Sequence, residues 1–140
     1  MLNENSVIKF NSNVKSPRRF VFVLIENFTL LSFSSALDAL RIANRMSGKT
    51  LYEWTFIGEN EGVVSCSAGT QFKLDNSLVE LHRDDTVLLC GGTFIQEATT
   101  KKLIGWLRRE ARRGLTIGGL CTAAYPMAKA GLLDEKKATI

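Results

Sequence analysis

Cysteine is scarce in this chain and never paired in sequence. Cys66, Cys90 and Cys121 lie far apart with no C-x-x-C spacing, which argues against both a disulfide framework and a zinc site. No metal site or cofactor motif is read elsewhere. Long apolar runs are missing as well: no 18 apolar residues stand together, and the opening MLNENSVIKFNSNVKSPRRF has no apolar stretch of signal-peptide length. A soluble protein of the reducing cytoplasm is the expectation. Nor is there a strong charge of either sign. The formal net charge is +4, from 18 basic and 14 acidic residues, too modest by itself to mark a nucleic-acid binder. Arg108, Arg109, Arg112 and Arg113 in RREARRG fall on one side of a helix near its C-terminus, where they complement the helix dipole and read as a solvated face.

What the chain does have is alternation of strand-like and helix-like segments. With 140 residues it forms one domain that buries roughly two-thirds of its unfolded surface. Residues 1–19 are polar and unpatterned, with Pro17 before the first apolar run, and read as a flexible leader; the fold is expected over residues 20–140. FVFVLI, residues 20–25, is a continuous β-branched and aromatic run of the kind found in a strand buried on both faces. Thr29 is placed to cap a helix carrying Leu30, Phe33, Leu37 and Leu40 on one face and ending near Gly48. LYEWTFIG reads as a second strand, and VVSCS and QFKLD as a hairpin or edge excursion. DDTVLLCGG carries a central strand at 86–90, and a helix from Thr99 to Arg113 turns Leu103, Ile104, Trp106, Leu107 and Ala111 inward before Gly114. LTIGGL is the next strand, and Thr122 to Ala130 the helix after it. This order implies an α/β fold with a doubly wound, mostly parallel sheet.

Ligands of such sheets sit beyond the carboxyl ends of the strands. That rule gathers Glu26, Asn27 and Phe28, then Gly91, Gly92 and Thr93, then Cys121 and Thr122 at one edge; all of these but Thr93, together with Phe94 just after the second strand end, are the candidate ligand-binding residues. Cys121 falls between a strand and a helix, in the turn known as a nucleophile elbow, with Gly119 and Ala123 as the small neighbours such a turn requires. Backbone N–H groups at the following helix start favour negative charge, whether on a thiolate or on a ligand carboxylate. Cysteine is also a common small core residue. Spacing alone leaves pocket and core positions equally open for Cys121.

GGLCTAAYPMAKAGLLDEKKATI, with FVFVLIENFTLLSFSSALDALRIANRMSG and VLLCGG, resembles the amidotransferase-like domain of the ThiJ/PfpI superfamily. More closely it is similar to the N-terminal sensor domain of GlxA-type regulators of the AraC family. The likeness runs from about residue 20 to residue 140 and implies a flavodoxin-like sheet with Cys121 at the elbow. In the family a His-Trp pair normally follows ATI, so the sheet is expected to lack its last elements and the helix-turn-helix module to be absent from this chain. An enzyme of the superfamily would need a base and a carboxylate beside the cysteine. The only histidine, His82, precedes a strand at the opposite sheet edge, and the position resembling the superfamily's helix carboxylate is Ser32. No catalytic residues are therefore assigned. Pro126 departs from the family pattern and should disturb the helix after the elbow.

The resemblance implies a sensor that binds a small effector and controls DNA binding through an attached module. A homodimer is a separate partner expectation, and a dimerisation module with no ligand is a third reading. The sensor's effectors would be nitrogen-containing metabolites such as a betaine, carnitine or a basic amino acid. Phe28 and Phe94 could face a quaternary ammonium, Glu26 could oppose its charge, and the helix start at Thr122 beside Gly91 and Gly92 could receive a carboxylate. The alternative is a cysteine-dependent amidase, peptidase or glyoxalase-type enzyme of the same superfamily.

Overall fold

The computed structural model describes residues 16–139. Residues 1–15, most of the expected leader, lie outside the described residues. Six strands and four helices follow in the order β1 (Arg18–Leu24), α1 (Leu30–Ser47), β2 (Tyr52–Ile57), β3 (Val63–Ser65), β4 (Gln71–Lys73), β5 (Thr86–Cys90), α2 (Ile95–Ala98), α3 (Lys101–Arg112), β6 (Thr116–Leu120) and α4 (Ala124–Lys129). A 3₁₀ turn over Cys121–Ala123 joins β6 to α4.

The main sheet has the order β2-β1-β5-β6, and all three of its pairings are parallel. Side chains of β1 alternate between two cores. Val21 and Val23 join Val87, Leu89, Leu103, Trp106 and Leu107 on the face covered by α3 and α4. Phe22 and Leu24 join Phe28, Phe33, Val64 and Cys66 on the face covered by α1 and the β3–β4 hairpin. A strand buried on both faces needs the unbroken apolar run that FVFVLI supplies. Each fully buried side chain of this kind contributes about 1.5–3 kcal/mol. The doubly wound arrangement expected from the sequence is the one observed.

Three boundaries differ from expectation, each for a local reason. The first strand begins at Arg18, two residues before Phe20. Arg18 N–H donates to the Leu51 carbonyl at 3.0 Å, and the Arg19 guanidinium forks onto Asp85, with Nε to Oδ1 at 2.9 Å and the second nitrogen to Oδ2 at 2.6 Å. The hydrogen bond to Asp85 holds Arg19 above its ordinary pKa, against an opposing effect of burial. Asp85 itself is only 4% exposed, so the pair ties the start of β1 to the start of β5.

The helix read as Thr99 to Arg113 is α3, which starts two residues later at Lys101 and ends at Arg112. Thr100 caps α3, its hydroxyl accepting from Leu103 N–H at 3.1 Å, and the short α2 stands before it. Leu103, Trp106 and Leu107 are buried, Ile104 and Ala111 half-buried. Trp106 Nε1 donates to the Val79 carbonyl at 2.8 Å. Glu110 is also fully buried. Arg113 donates to its Oε2 at 2.6 Å and pairs with Glu80 at 3.3 Å. The arginine group is thus not a uniformly solvated face: Arg108, Arg109 and Arg112 are exposed, while Arg113 turns inward as the counter-ion of Glu110.

Pro126 does not kink a continuous helix. The chain makes the 3₁₀ turn first, so Pro126 falls in the first turn of α4, where the missing N–H would have had no intrahelical partner.

Candidate functional site

Three chain segments converge at the carboxyl edge of the sheet. The turn after β1 holds Glu26, Asn27 and Phe28, the glycine pair follows β5, and Cys121 follows β6. Cys121 has φ of 54°, a left-handed conformation that a side-chain-bearing residue adopts at some energetic cost. Its side chain is exposed, whereas Cys66 and Cys90 are buried. The small neighbours are needed sterically: a Cβ on Gly119 would stand 3.1 Å from the Ala123 Cβ and 2.8 Å from the Met127 sulfur. The elbow geometry read from the sequence is present, with Cys121 at the surface.

The hydrogen-bond partner of the thiol is a residue that sequence reasoning assigned elsewhere. Thr29 occupies the N-cap position of α1 but makes no side-chain capping bond. Its hydroxyl instead lies 3.4 Å from Cys121 Sγ. No spacing rule links residues 29 and 121, so only the register of β1, β5 and β6 could have revealed this pair. Ser32 donates to the Thr29 carbonyl at 3.1 Å. His82 is exposed before β5, at the amino edge of the sheet, and cannot serve as a base for Cys121.

Gly91, Gly92 and Thr122 hold the elbow in place and do not open toward a ligand. Both glycines are buried. A Cβ on Gly91 would stand 2.6 Å from Ala123 N, and one on Gly92 would stand 2.6 Å from Thr29 N and collide with the Asn27 carbonyl. Thr122 Oγ1 donates to the Gly92 carbonyl at 2.7 Å. The close approach that glycine permits here is of protein backbone to protein backbone. Nor does α4 offer a strong anion site, since it has six residues and begins from a 3₁₀ turn.

Phe28 is likewise a core residue. It is 0% exposed and packs edge-to-face on Phe33 at 5.3 Å and Phe72 at 5.5 Å between ring centroids. Its ring is unavailable to a ligand. Its backbone bridges both Cys66 of the hairpin and Gly92, which fixes the β1–α1 turn from two sides.

The remaining candidates, Glu26, Asn27 and Phe94, do come together. They line a cavity of about 350 Å³ whose wall also includes Gly58, Glu59, Asn60, Glu97 and Thr100. Cys121 is not among its lining residues. Asn27 has φ of 64° and Phe94 φ of 56°; asparagine tolerates that region, while for phenylalanine it is an uncommon conformation. The Phe94 side chain stays 66% exposed, so most of its ring is not packed against the core. Thr100 Oγ1 donates to Glu59 Oε1 at 2.7 Å, and Ser65 N–H donates to Glu26 Oε1 at 3.3 Å. Glu26, Glu59 and Glu97 are all acidic, and no lysine or arginine lines the wall. Sequence reasoning found Glu26 and Phe94 but missed Glu59 and Glu97, which sit after β2 and within α2, beyond the strand ends it had gathered.

The other thiols offer no competing chemistry. Cys90 is fully buried, and desolvation pushes its pKa from 9.0 up to about 12. Among the described residues no group of three or more histidine, cysteine, aspartate or glutamate side chains could hold a metal ion. No helix among them is long and apolar enough to cross a membrane.

A parallel sheet with helices on both faces and a strained, exposed cysteine between strand and helix defines a flavodoxin-like α/β domain with a nucleophile-elbow turn. Residues 18–140 match the DJ-1/PfpI family, and the chain belongs to it. It is 38% identical over 120 residues to the HTH-type transcriptional regulator GbdR of Pseudomonas aeruginosa, covering 86% of this chain and 33% of that protein. It is 35% identical over 131 residues to the HTH-type transcriptional regulator GlxA of Rhizobium meliloti, covering 93% and 40%. The crystal structure of an AraC family transcriptional regulator from Pseudomonas putida superposes with a TM-score of 0.68 at 26% identity, over 86% of this chain and 64% of that one. The chain thus spans about a third of the length of GbdR.

Proposed function

We propose that this chain is the effector-sensing part of a transcription regulator and that its effector, a small cationic or zwitterionic metabolite, binds in the cavity beneath Phe94. The observation that carries this reading is the wall itself: three carboxylates and a free aromatic ring around about 350 Å³, with no basic side chain among them. A quaternary ammonium or guanidinium group gains from an aromatic face by about 0.5–2 kcal/mol, more as it is desolvated. The carboxylates of Glu26, Glu59 and Glu97 add attraction of the matching sign. Polar groups of Asn27 and Asn60 on the same wall supply hydrogen-bonding partners for the rest of the molecule. On this reading the effector sits beside β1 and β2 and not at the elbow, since Cys121 does not line the cavity. The likeness to HTH-type regulators supports coupling to a DNA-binding module. Thermal shift of this chain with glycine betaine, carnitine and arginine tests the reading, with a rise in Tm from at least one expected and none from tert-butylacetate, the carbon isostere of betaine that keeps the carboxylate and lacks the ammonium charge.

The exposed, strained Cys121 favours a second reading, a cysteine-dependent hydrolase. The groups around it support it poorly. The sulfur's hydrogen-bond partner is a threonine hydroxyl, which is a far weaker base than histidine, and His82 is at the other sheet edge. Amidase and glyoxalase assays are expected to give no turnover above background. Turnover that Cys121→Ser abolishes would make the enzyme reading the correct one.

A further inference from the structure

The cavity beneath Phe94 carries a charge opposite to that of the chain. The whole sequence has a formal net charge of +4, yet Glu26, Glu59 and Glu97 line the cavity and no lysine or arginine does. Carboxylates elsewhere in the fold have cations beside them: Asp38, Glu80, Asp85 and Glu110 each pair with an arginine. Among the described residues none of the three cavity carboxylates is in such a pair. Lys102 does reach this segment, but its Nζ donates to the Glu59 backbone carbonyl at 2.8 Å, and the lysine is not part of the wall.

The carboxylates are also held apart. Glu26 follows β1, and its Oε1 accepts from Ser65 N–H of the β3–β4 hairpin at 3.3 Å, on the side of the sheet covered by α1. Glu59 follows β2, and its Oε1 accepts from Thr100, the cap of α3, at 2.7 Å, on the opposite side. In both, the bond to protein falls on Oε1, which leaves Oε2 for a ligand. Glu97 stands on α2. Such a spread does not suit a single metal ion, and among the described residues no acidic group of three is placed to hold one. Between the carboxylates the wall is apolar, with Val64, Leu74 and Leu103, a lining that suits methylene groups.

A carboxylate on the ligand works against this wall. It must shed water to enter a site that offers it three like charges and no counter-ion. Without it, a molecule with a cationic group at each end meets opposite charge at both. We propose that the cavity selects a short dication that has no carboxylate, an alkyl diamine or an amine with a terminal guanidinium, over an amino acid or betaine of similar length. The inference rests on the reading of this cavity as the effector site and specifies the ligand class. At about 350 Å³ the volume stands at the small end of ligand cavities, which favours a short linker between the two cations.

Matched ligands test it. Agmatine and arginine differ only in the carboxylate, and putrescine and butylamine only in the second cation. Calorimetric titration of the 140-residue chain should find agmatine bound at least about tenfold more tightly than arginine, and putrescine at least about tenfold more tightly than butylamine. Glu97→Gln changes an exposed side chain, so circular dichroism should be unchanged while the advantage of agmatine over arginine shrinks by about threefold or more. Arginine or glycine betaine binding as tightly as agmatine would overturn the dication inference and leave a cationic effector in the cavity. A preference for agmatine that neither Glu97→Gln nor Glu59→Gln reduces would place the dication elsewhere and overturn it too. No heat from any of these ligands would remove the effector reading itself, and the inference with it.

Discussion

The hydroxyl of Thr29 stands 3.4 Å from the sulfur of Cys121, across 92 residues of sequence. It joins the start of α1 to the end of β6 over the carboxyl end of the intervening β5, and it makes the elbow cysteine part of the β1–α1 turn that also borders the cavity. Thiol labelling reads this relationship directly. Cys121 should react with iodoacetamide much faster than Cys66 and Cys90, which are 1% and 0% exposed. Thr29→Val removes the hydroxyl that can donate to the Cys121 sulfur once it is a thiolate, and should slow that reaction by roughly two- to tenfold. Equal protection of all three thiols would place Cys121 in the core.

The glycine pair offers a graded test of how tightly the turns are packed. Gly92→Ala would force a methyl into the Asn27 carbonyl and against Thr29 N at 2.6 Å, both backbone atoms that cannot step aside. A loss of about 3 kcal/mol is expected in urea unfolding. Gly119→Ala meets the movable Met127 side chain and the Ala123 methyl, so its cost should be about 1 kcal/mol. The reverse ranking would mean that the β1–α1 turn can shift.

Arg19→Ala leaves the buried Asp85 carboxylate with the His82 N–H as its remaining partner, at 3.0 Å. Because Arg19 is about a third exposed, water can replace part of the lost interaction. A destabilisation of about 2 kcal/mol is expected, measured as a fall in urea midpoint at unchanged slope.

Cys90 gives a pH dependence of known sign. In the unfolded chain its thiol ionises near 9.0, while in the fold burial keeps it neutral to about 12. The unfolded state therefore loses its proton first, and stability falls as pH rises through that window, with no contribution below it. Between pH 8 and pH 10 the wild type should lose about 1 kcal/mol more than Cys90→Ala. Equal losses would mean that Cys90 is solvated.

Much of this fold is legible in the sequence because its signals are local. The run FVFVLI, the helical face of Leu30, Phe33, Leu37 and Leu40, and the small residues around Cys121 each imply their element without knowledge of any other. The sheet edge that collects the site follows from strand order. What could not be read is which side chains at that edge face solvent. Phe28 and Phe94 look alike in sequence, yet Phe28 is pinned beneath the hairpin by Phe33 and Phe72 and Phe94 projects from a left-handed turn. Glu110 and Asp85 were similarly opaque: each is a buried carboxylate whose burial is compensated by a specific arginine, Arg113 one turn along for Glu110 and Arg19 at the start of β1 for Asp85.

The most direct test of effector sensing is calorimetric titration of the 140-residue chain with glycine betaine, carnitine and arginine, on wild type, Phe94→Ala and Glu26→Gln. Both side chains are exposed, so neither substitution should disturb the fold. Binding of at least one ligand by the wild type is predicted, weakened by roughly two- to thirtyfold in Phe94→Ala and weakened also in Glu26→Gln. Binding that ignores both substitutions, or no heat from any of the three ligands, would contradict the placement of a cationic effector in this cavity.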